Sequence, residues 1–119
     1  MAYVDGFLTP VKAARLAEYK KMARKAGKVW MEYGALSYME CLADDVAYGK
    51  STSFPRAVKQ KDDEVVVLSW VVYNNRRERD QIMKKVMEDP RLASMIQSKD
   101  QPFDMKRMMF GGFKPIVEL

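Results

Sequence analysis

Residues 64–73, Glu-Val-Val-Val-Leu-Ser-Trp-Val-Val-Tyr, form an almost unbroken run of strand-forming side chains. Side chains of a β-strand point alternately to its two faces. Both faces of this strand are apolar, since one carries Val65, Val67 and Val71 and the other carries Val66, Leu68, Trp70 and Val72. Such a strand has to be covered on both sides, which places it in the middle of a sheet.

The first half of the chain predicts a strand, a helix and a second strand. Residues 3–8 are rich in strand formers, and Thr9 and Pro10 have the chemistry of a helix N-cap and of the first helical position. The helix is predicted to run to about Tyr33, with Gly34 ending it. Its apolar stripe repeats at three and four residues, as one face of an α-helix does: Leu16, Tyr19, Ala23, Ala26, Trp30 and Tyr33.

The second half repeats that order after a long polar connection over residues 43–63. A helix is predicted to start at Asn75, whose side chain suits an N-cap with Glu78 three residues later, and to end before Pro90. The remaining predicted elements are a strand over 35–42, a weakly indicated strand near 52–58, a helical turn from Pro90, and a last strand over 106–110 that bends at Gly111-Gly112 and resumes to Val117.

Two β-α-β units in succession favour an α+β fold of the ferredoxin-like βαββαβ type, as a single domain over residues 1–119. In that fold a four-stranded antiparallel sheet carries both helices on one face. The other face, which should be polar in a monomer, is apolar here, and a large exposed apolar patch marks an interface. We therefore expect a homodimer paired through this sheet face; the alternative is that the 43–63 connection folds over it.

The composition excludes several kinds of site. The chain has no histidine, so it has no Ser-His or Cys-His nucleophile pair, no His-ligated haem and no His-containing zinc site. Cys41 is the only cysteine, which excludes an intramolecular disulfide and a Cys-rich metal site. We expect no cofactor and no metal. The first residues lack a signal-peptide pattern and no apolar run approaches the ~18 residues of a membrane span, so a cytoplasmic location without a membrane partner is expected.

Several motifs together carry a family resemblance over essentially the whole chain. They include the opening Tyr-Val-Asp-Gly-Phe at 3–7, the block at 34–46, Thr-Ser-Phe-Pro-Arg-Ala-Val at 52–58, Asp-Pro-Arg at 89–91 and the segment 102–113. In this order the motifs resemble the uncharacterised bacterial family numbered 1428 among the domains of unknown function, the YbaA-like proteins. The resemblance implies the dimeric α+β-barrel superfamily, in which two ferredoxin-like sheets pair into a barrel. That superfamily includes small monooxygenases, haem-degrading enzymes, dehydratases and ligand-sensing modules, so it implies no particular activity.

Three charged residues within predicted strands are the candidate catalytic set. Asp5, Glu40 and Arg107 each share strand parity with apolar neighbours. If their strands bring them to one sheet face, two carboxylates and a guanidinium meet in an apolar setting, where a carboxylate can act as a base or bind a polar ligand. The alternative is an ion network that sets the register of the dimer.

An aromatic group provides the candidate ligand pocket. Trp70 on the central strand, with Tyr3, Phe7 and Tyr38 as neighbours, would line a cavity for a planar apolar ligand. Ordinary core packing is the alternative. The methionines clustered between residues 83 and 109 are interpreted as adaptable core or interface filler.

Two further charge patterns have a surface interpretation. Lys21, Arg24, Lys25 and Lys28 lie on the side of the first helix opposite its apolar stripe, which suggests weak RNA binding or, more simply, a solvated face. Asp44 and Asp45 suggest a turn rather than a cation site.

Together these patterns favour a homodimeric small-molecule-binding module. One alternative is a cofactor-free enzyme of monooxygenase or isomerase type. A second alternative is a weak RNA-binding protein that uses the basic first helix, with nucleic acid as the less favoured partner.

Overall fold

The computed structural model describes all 119 residues. It contains four strands and four α-helices: β1 (Tyr3–Lys12), α1 (Leu16–Glu32), β2 (Ser37–Leu42), α2 (Phe54–Ala57), β3 (Glu64–Tyr73), α3 (Arg76–Glu88), α4 (Pro90–Ile96) and β4 (Met109–Phe113). The strands form one antiparallel sheet in the order β2-β3-β1-β4. This is the ferredoxin-like arrangement, and it confirms the predicted fold class.

The central strand β3 has the predicted bounds, and the face that it shares with β1 holds the core. Val71 and Tyr73 pack with Val29 and Trp30 of α1 and with apolar side chains of α3 and α4. A second cluster joins Val11, Tyr19 and Val67. The odd-numbered residues of β1 and β3 therefore face the helices, as do the even-numbered residues of β2, and we call this side the helix face.

The boundary between β1 and α1 differs from the prediction, because Thr9 and Pro10 do not start a helix. They continue β1, opposite Val67 and Val66 in the register, and α1 begins only after a 3-10 turn at residues 13–15. The alternation carries Val11 into the core, where it is fully buried. The missing N–H of Pro10 costs little, since on that side of β1 the main chain meets only residues 102–104 rather than β4.

Two other local predictions are also wrong. Residues 54–57 form a short helix rather than a strand, because the side chain of Ser53 accepts a hydrogen bond from the N–H of Arg56 at 3.1 Å and Pro55 suits the first turn. The last strand is one segment with both glycines inside it. At Gly112 a Cβ atom would come within 2.5 Å of the Tyr3 hydroxyl, so any other residue here would require the Tyr3 side chain to shift.

The opposite side of the sheet, which we call the open face, carries no helix of the α1–α3 layer. Val66 on this face is buried and α2 contacts β3, so the 43–63 connection covers part of it. The rest stays exposed, with exposed fractions between 39% and 64% at Leu68, Met39, Met109 and Phe113. The connection therefore does not replace a partner over the whole face.

Candidate ligand-binding cavity

A cavity of about 420 Å³ lies between the helix face of the sheet and α1, α3, α4 and the segment before β4. Sixteen of its 20 lining residues are hydrophobic. They include six aromatic side chains, Phe7, Tyr19, Trp30, Tyr38, Phe103 and Phe110, and six methionines, Met22, Met83, Met87, Met95, Met105 and Met108. This volume and this lining are typical of a site for a small organic molecule.

One polar cluster interrupts the apolar wall, and Glu40 is at its centre. The hydroxyl of Tyr19 donates a hydrogen bond to Oε1 of Glu40, and the hydroxyl of Tyr38 donates one to Oε2. Ser69 Oγ lies 3.3 Å from Oε1. The sheet dictates this meeting, since Tyr38 and Glu40 are alternate residues of β2 and Ser69 is opposite Glu40 on β3.

Both tyrosines of the cluster are held in their protonated form. Burial raises the pKa of Tyr19 and of Tyr38 far above the ordinary value, and the neighbouring Glu40 carboxylate raises both further. They therefore act as hydrogen-bond donors at any physiological pH, and the carboxylate of Glu40 is the acceptor.

The position of Tyr38 depends on a glycine in α1. A Cβ atom at Gly27 would come within 2.7 Å of the Tyr38 ring, so the absence of a side chain lets the ring lie against the helix. The same ring lies 5.8 Å from that of Trp30. Gly27 costs helix stability but places the hydroxyl of Tyr38 on Glu40.

The Glu40 cluster is accessible from a second side. A groove of about 860 Å³ runs between α1 and β2, and Tyr19, Tyr38 and Glu40 line it as well as the cavity. The cluster thus lies between the apolar cavity and an outer groove bordered by Lys20 and Arg24.

The structure does not bring Asp5 to Glu40, although both residues are on the helix face. Asp5 is fully buried and is bound by Arg79 of α3, whose Nη2 lies 2.8 Å from Oδ1. The Tyr73 hydroxyl donates to Oδ2 at 2.8 Å and accepts from Trp30 Nε1 at 3.1 Å. Asp5 thus belongs to a structural network outside the cavity lining, and the prediction of one charged set is wrong.

Arg107, the third residue of the predicted charged set, pairs with neither Asp5 nor Glu40. It precedes β4 and pairs with Glu64 at 2.6 Å and with Asp104 at 2.8 Å, and it donates to the carbonyls of Val58 and Lys59. Its guanidinium lowers the pKa of the Glu64 carboxyl. These contacts tie the 43–63 connection to the segment before β4, which is a structural arrangement.

The structure places two of the four predicted pocket residues at the cavity and the other two elsewhere. Phe7 and Tyr38 line the cavity. Tyr3 lies instead below the guanidinium of Arg79, 5.4 Å from it, and packs at the edge of the core. Trp70 is on the open face, because it alternates with the core residues Val71 and Tyr73, so it cannot share a pocket with the other three.

Sequence reasoning missed Tyr19 and Trp30 as cavity residues, although both belong to the α1 stripe that it interpreted as core. It also treated the methionines as filler, whereas five of the six singled out line the cavity. The available signal was Tyr19 itself, a tyrosine within the apolar stripe of α1 on the side that faces the sheet and Glu40.

The remaining candidate features are on the surface. Lys21, Arg24, Lys25 and Lys28 are exposed along α1, and none of them forms an ion pair. RNA binding through this face stays a prediction. Asp44 and Asp45 are exposed in the connection after β2, and Cys41 is partly exposed on the open face.

With this geometry in place, comparison with known proteins gives the family. The profile of the family described as "Protein of unknown function (DUF1428)" matches residues 2–105. The chain belongs to the DUF1428 family. It is 45% identical over 118 residues to "Uncharacterized protein YbaA" of Escherichia coli K12, with 99% of each chain covered, and has the same identity to the protein of that name in Shigella flexneri.

Solved structures with low sequence identity share the DUF1428 chain's fold. A putative antibiotic biosynthesis monooxygenase from Nitrosomonas europaea superimposes with a TM-score of 0.64 at 10% identity, covering 97% of this chain and 90% of that one. SnoaB, a cofactor-independent oxygenase from Streptomyces nogalater, gives 0.62 at 14% identity with 99% and 96% covered. A dimeric ferredoxin-like protein from an uncultured marine organism gives 0.56 at 10% identity, with both chains fully covered.

No α-helix of the protein combines the length and the apolar character that spanning a membrane requires.

Proposed function

We propose that this protein binds a small, largely apolar, ring-containing molecule in the cavity between α1, α3 and the sheet. The observation that carries the proposal is the combination of a 420 Å³ cavity, twelve aromatic or methionine side chains in its wall, and one hydrogen-bonded carboxylate. Aromatic walls suit planar ligands, and methionines adapt to different shapes.

The polar cluster supports a definite orientation of the ligand. Oε1 of Glu40 accepts from Tyr19 and Ser69, whereas Oε2 accepts only from Tyr38. Because a carboxylate oxygen has two lone-pair sites, Oε2 can take one more donor. The ligand would therefore direct a hydroxyl or amino group at Oε2 and place its rings among the aromatic side chains of the cavity.

The two tryptophans of the chain provide a direct test. Trp30 lines the cavity and Trp70 does not. In a Trp70→Phe variant, titration with N-phenyl-1-naphthylamine, a neutral apolar dye, is expected to quench the remaining tryptophan emission and to increase that of the dye. The matched Trp30→Phe variant alters the cavity wall and is expected to bind the dye more weakly than Trp70→Phe, as measured by the emission of the dye. Equal dye affinities in both variants, or no binding in either, would contradict the proposal.

Filling the cavity is expected to weaken binding. Ala26 lines the cavity, and Ala26→Phe is expected to raise the dissociation constant for the dye at least tenfold by occupying its volume. Ala17→Phe adds the same side chain to an exposed position of the same helix outside the cavity and is the control. Circular dichroism establishes that both variants are folded before affinities are compared.

The second candidate is a cofactor-free enzyme, and Glu40 is the observation that favours it. A carboxylate held by two neutral tyrosines beside an apolar cavity is placed to take a proton from a carbon acid. Returning that proton at another carbon is an isomerisation. Addition of O2 to the carbanion, followed by protonation, gives a hydroperoxide; loss of water from it leaves one oxygen atom on the product as a carbonyl, which is a monooxygenation. One structural neighbour is named a putative monooxygenase and another a cofactor-independent oxygenase.

This alternative has its own measurement. With 2-tetralone as a bicyclic carbon acid in heavy water, an enzymatic base is expected to accelerate exchange of its acidic C–H, followed by proton NMR. Glu40→Gln is expected to slow that exchange about a hundredfold or more while the ketone still binds. Oxygen uptake distinguishes monooxygenation from isomerisation. Exchange that is unchanged in Glu40→Gln would exclude Glu40 as the base.

We also propose that the protein forms a homodimer through the open face and is located in the cytoplasm. The exposed apolar side chains on that face support the first statement, and one structural neighbour is described as dimeric. In such a dimer the cavity lies on the other side of the sheet, so each protomer keeps its own ligand site.

A further inference from the structure

The charges around the cavity restrict the class of ligand further. None of the 20 lining residues is a lysine or an arginine, and Glu40 is the only acidic one. Glu40 takes part in none of the nine ion pairs of the structure. Lys20, Arg24 and Lys28 border the outer groove on the other side of the cluster, and none of them lies within ion-pair distance of the carboxylate. The cavity thus has an anionic group without a cationic partner.

The remaining polar contacts of Glu40 are all with neutral donors. Tyr19, Tyr38 and Ser69 donate hydrogen bonds but supply no positive charge. A carboxylate beside an apolar space is best stabilised by a cation, because neutral hydrogen bonds compensate only part of its lost hydration. The open lone-pair position on Oε2 is where such a cation would bind.

The apolar walls of the cavity also favour a positively charged ligand. The faces of aromatic rings carry negative electrostatic potential and attract ammonium groups, and Trp is the strongest of them. Trp30, Phe7 and Phe110 are among the lining residues, and the thioethers of six methionines are likewise electron-rich and polarisable. An anionic ligand would be repelled by the Glu40 carboxylate and by these walls, and no lysine or arginine of the cavity would offset that repulsion.

We propose that the natural ligand of this cavity is an organic cation, an amine with an aromatic or alkyl body, whose ammonium group contacts Oε2 of Glu40. The body of the ligand occupies the aromatic and methionine-lined space, and the ammonium group replaces the missing counter-charge of the carboxylate. The inference rests on the proposed function, since it names the ligand class of the same cavity.

The test compares three naphthalene probes that differ only in the head group: 1-naphthylmethylamine, 1-naphthylmethanol and 1-naphthoic acid. Binding is measured by isothermal titration calorimetry at neutral pH. We expect the amine to bind at least tenfold more tightly than the alcohol and the acid to bind most weakly. In a Glu40→Gln variant, the advantage of the amine over the alcohol is expected to fall below about threefold.

The outcomes separate the two proposals. If the alcohol binds as tightly as the amine, or if the acid binds more tightly than either, the ligand class is wrong and the proposed binding function stands. If none of the three probes binds, or if Ala26→Phe leaves their affinities unchanged, the proposed function itself is wrong. The comparison of head groups needs no change at Glu40, so it decides the ligand class even if Glu40→Gln does not fold.

Discussion

Replacing Arg79 with methionine is expected to lower the free energy of unfolding by about 3 kcal/mol or more, because it leaves a buried carboxylate without its counter-charge. Asp5 is fully buried, and Arg79 binds it through Nη2 at 2.8 Å and through Nε, which lies 3.1 Å from each carboxylate oxygen. These hydrogen bonds raise the pKa of the Arg79 guanidinium above its ordinary value. After the substitution, the Tyr73 hydroxyl is the remaining side-chain donor to Asp5.

Arg76→Met is the matched control for this prediction. Arg76 is on the same helix three residues earlier, its side chain is 72% exposed, and its Nε lies 3.9 Å from Asp80. Such an exposed pair contributes little, so a change within about 0.5 kcal/mol is expected. Urea unfolding at one fixed protein concentration measures both variants. Equal losses for Arg76→Met and Arg79→Met would show that the buried pair is not a main support of the fold.

A double variant tests whether Asp5 and Arg79 stabilise the fold as a pair. Asp5→Asn combined with Arg79→Met is expected to be less destabilised than the sum of the two single losses, since the second change removes the charge that the first one leaves unpaired. Strict additivity would mean that the two residues do not act as a pair.

The second large effect concerns the open face. Leu68→Glu places a charge among the exposed apolar side chains of the central strand and is expected to convert a dimer into a monomer. A stable interface buries about 800 Å² per partner. Burying an unpaired charge at its centre carries a desolvation penalty that outweighs the free energy of association. Sedimentation velocity at micromolar concentration is expected to give twice the 13.8 kDa chain mass for the parent protein and the single chain mass for the variant.

Val46→Glu is the control for the interface. Val46 is 38% exposed and Leu68 is 39% exposed, but Val46 lies in the connection after β2 rather than on the sheet. It is expected to remain dimeric. A parent protein with the mass of one chain at every concentration would refute the dimer, and dissociation by both substitutions would place the interface elsewhere.

Elements whose signals are local were predicted well. The β3 bounds agree with the apolar run at 64–73, and Asn75 caps α3 by accepting from the N–H of Glu78 at 2.8 Å. The predicted helix N-cap at Thr9 is wrong because tertiary packing outweighs the local signal. Val11 is buried against Tyr19 and Val67, which keeps β1 extended past Thr9.

In the candidate site, too, local features could be predicted from the sequence and contacts between distant residues could not. Strand alternation correctly grouped Asp5 with Phe7, and Glu40 with Tyr38. It did not give the faces of different strands relative to one another, so Trp70 was wrongly predicted beside Phe7 and Tyr38. Alternation along a strand is a local property. It could not show that Asp5 and Glu40 are two strands apart, about 10 Å, with β3 between them. Nor could it show which helix side chain reaches which carboxylate.

The amino-acid sequence by itself determined the order of the elements and which residues of one strand share a face, because periodicity and capping are properties of neighbouring residues. The order of its motifs indicated the family. The tertiary structure alone decided that Tyr19 meets Glu40 and that Arg79 meets Asp5. These pairs are separated by 21 and 74 residues, and they meet only when a helix packs on the sheet at one angle and one depth. Side-chain packing sets that placement, and it carries no periodic signal that a sequence reveals.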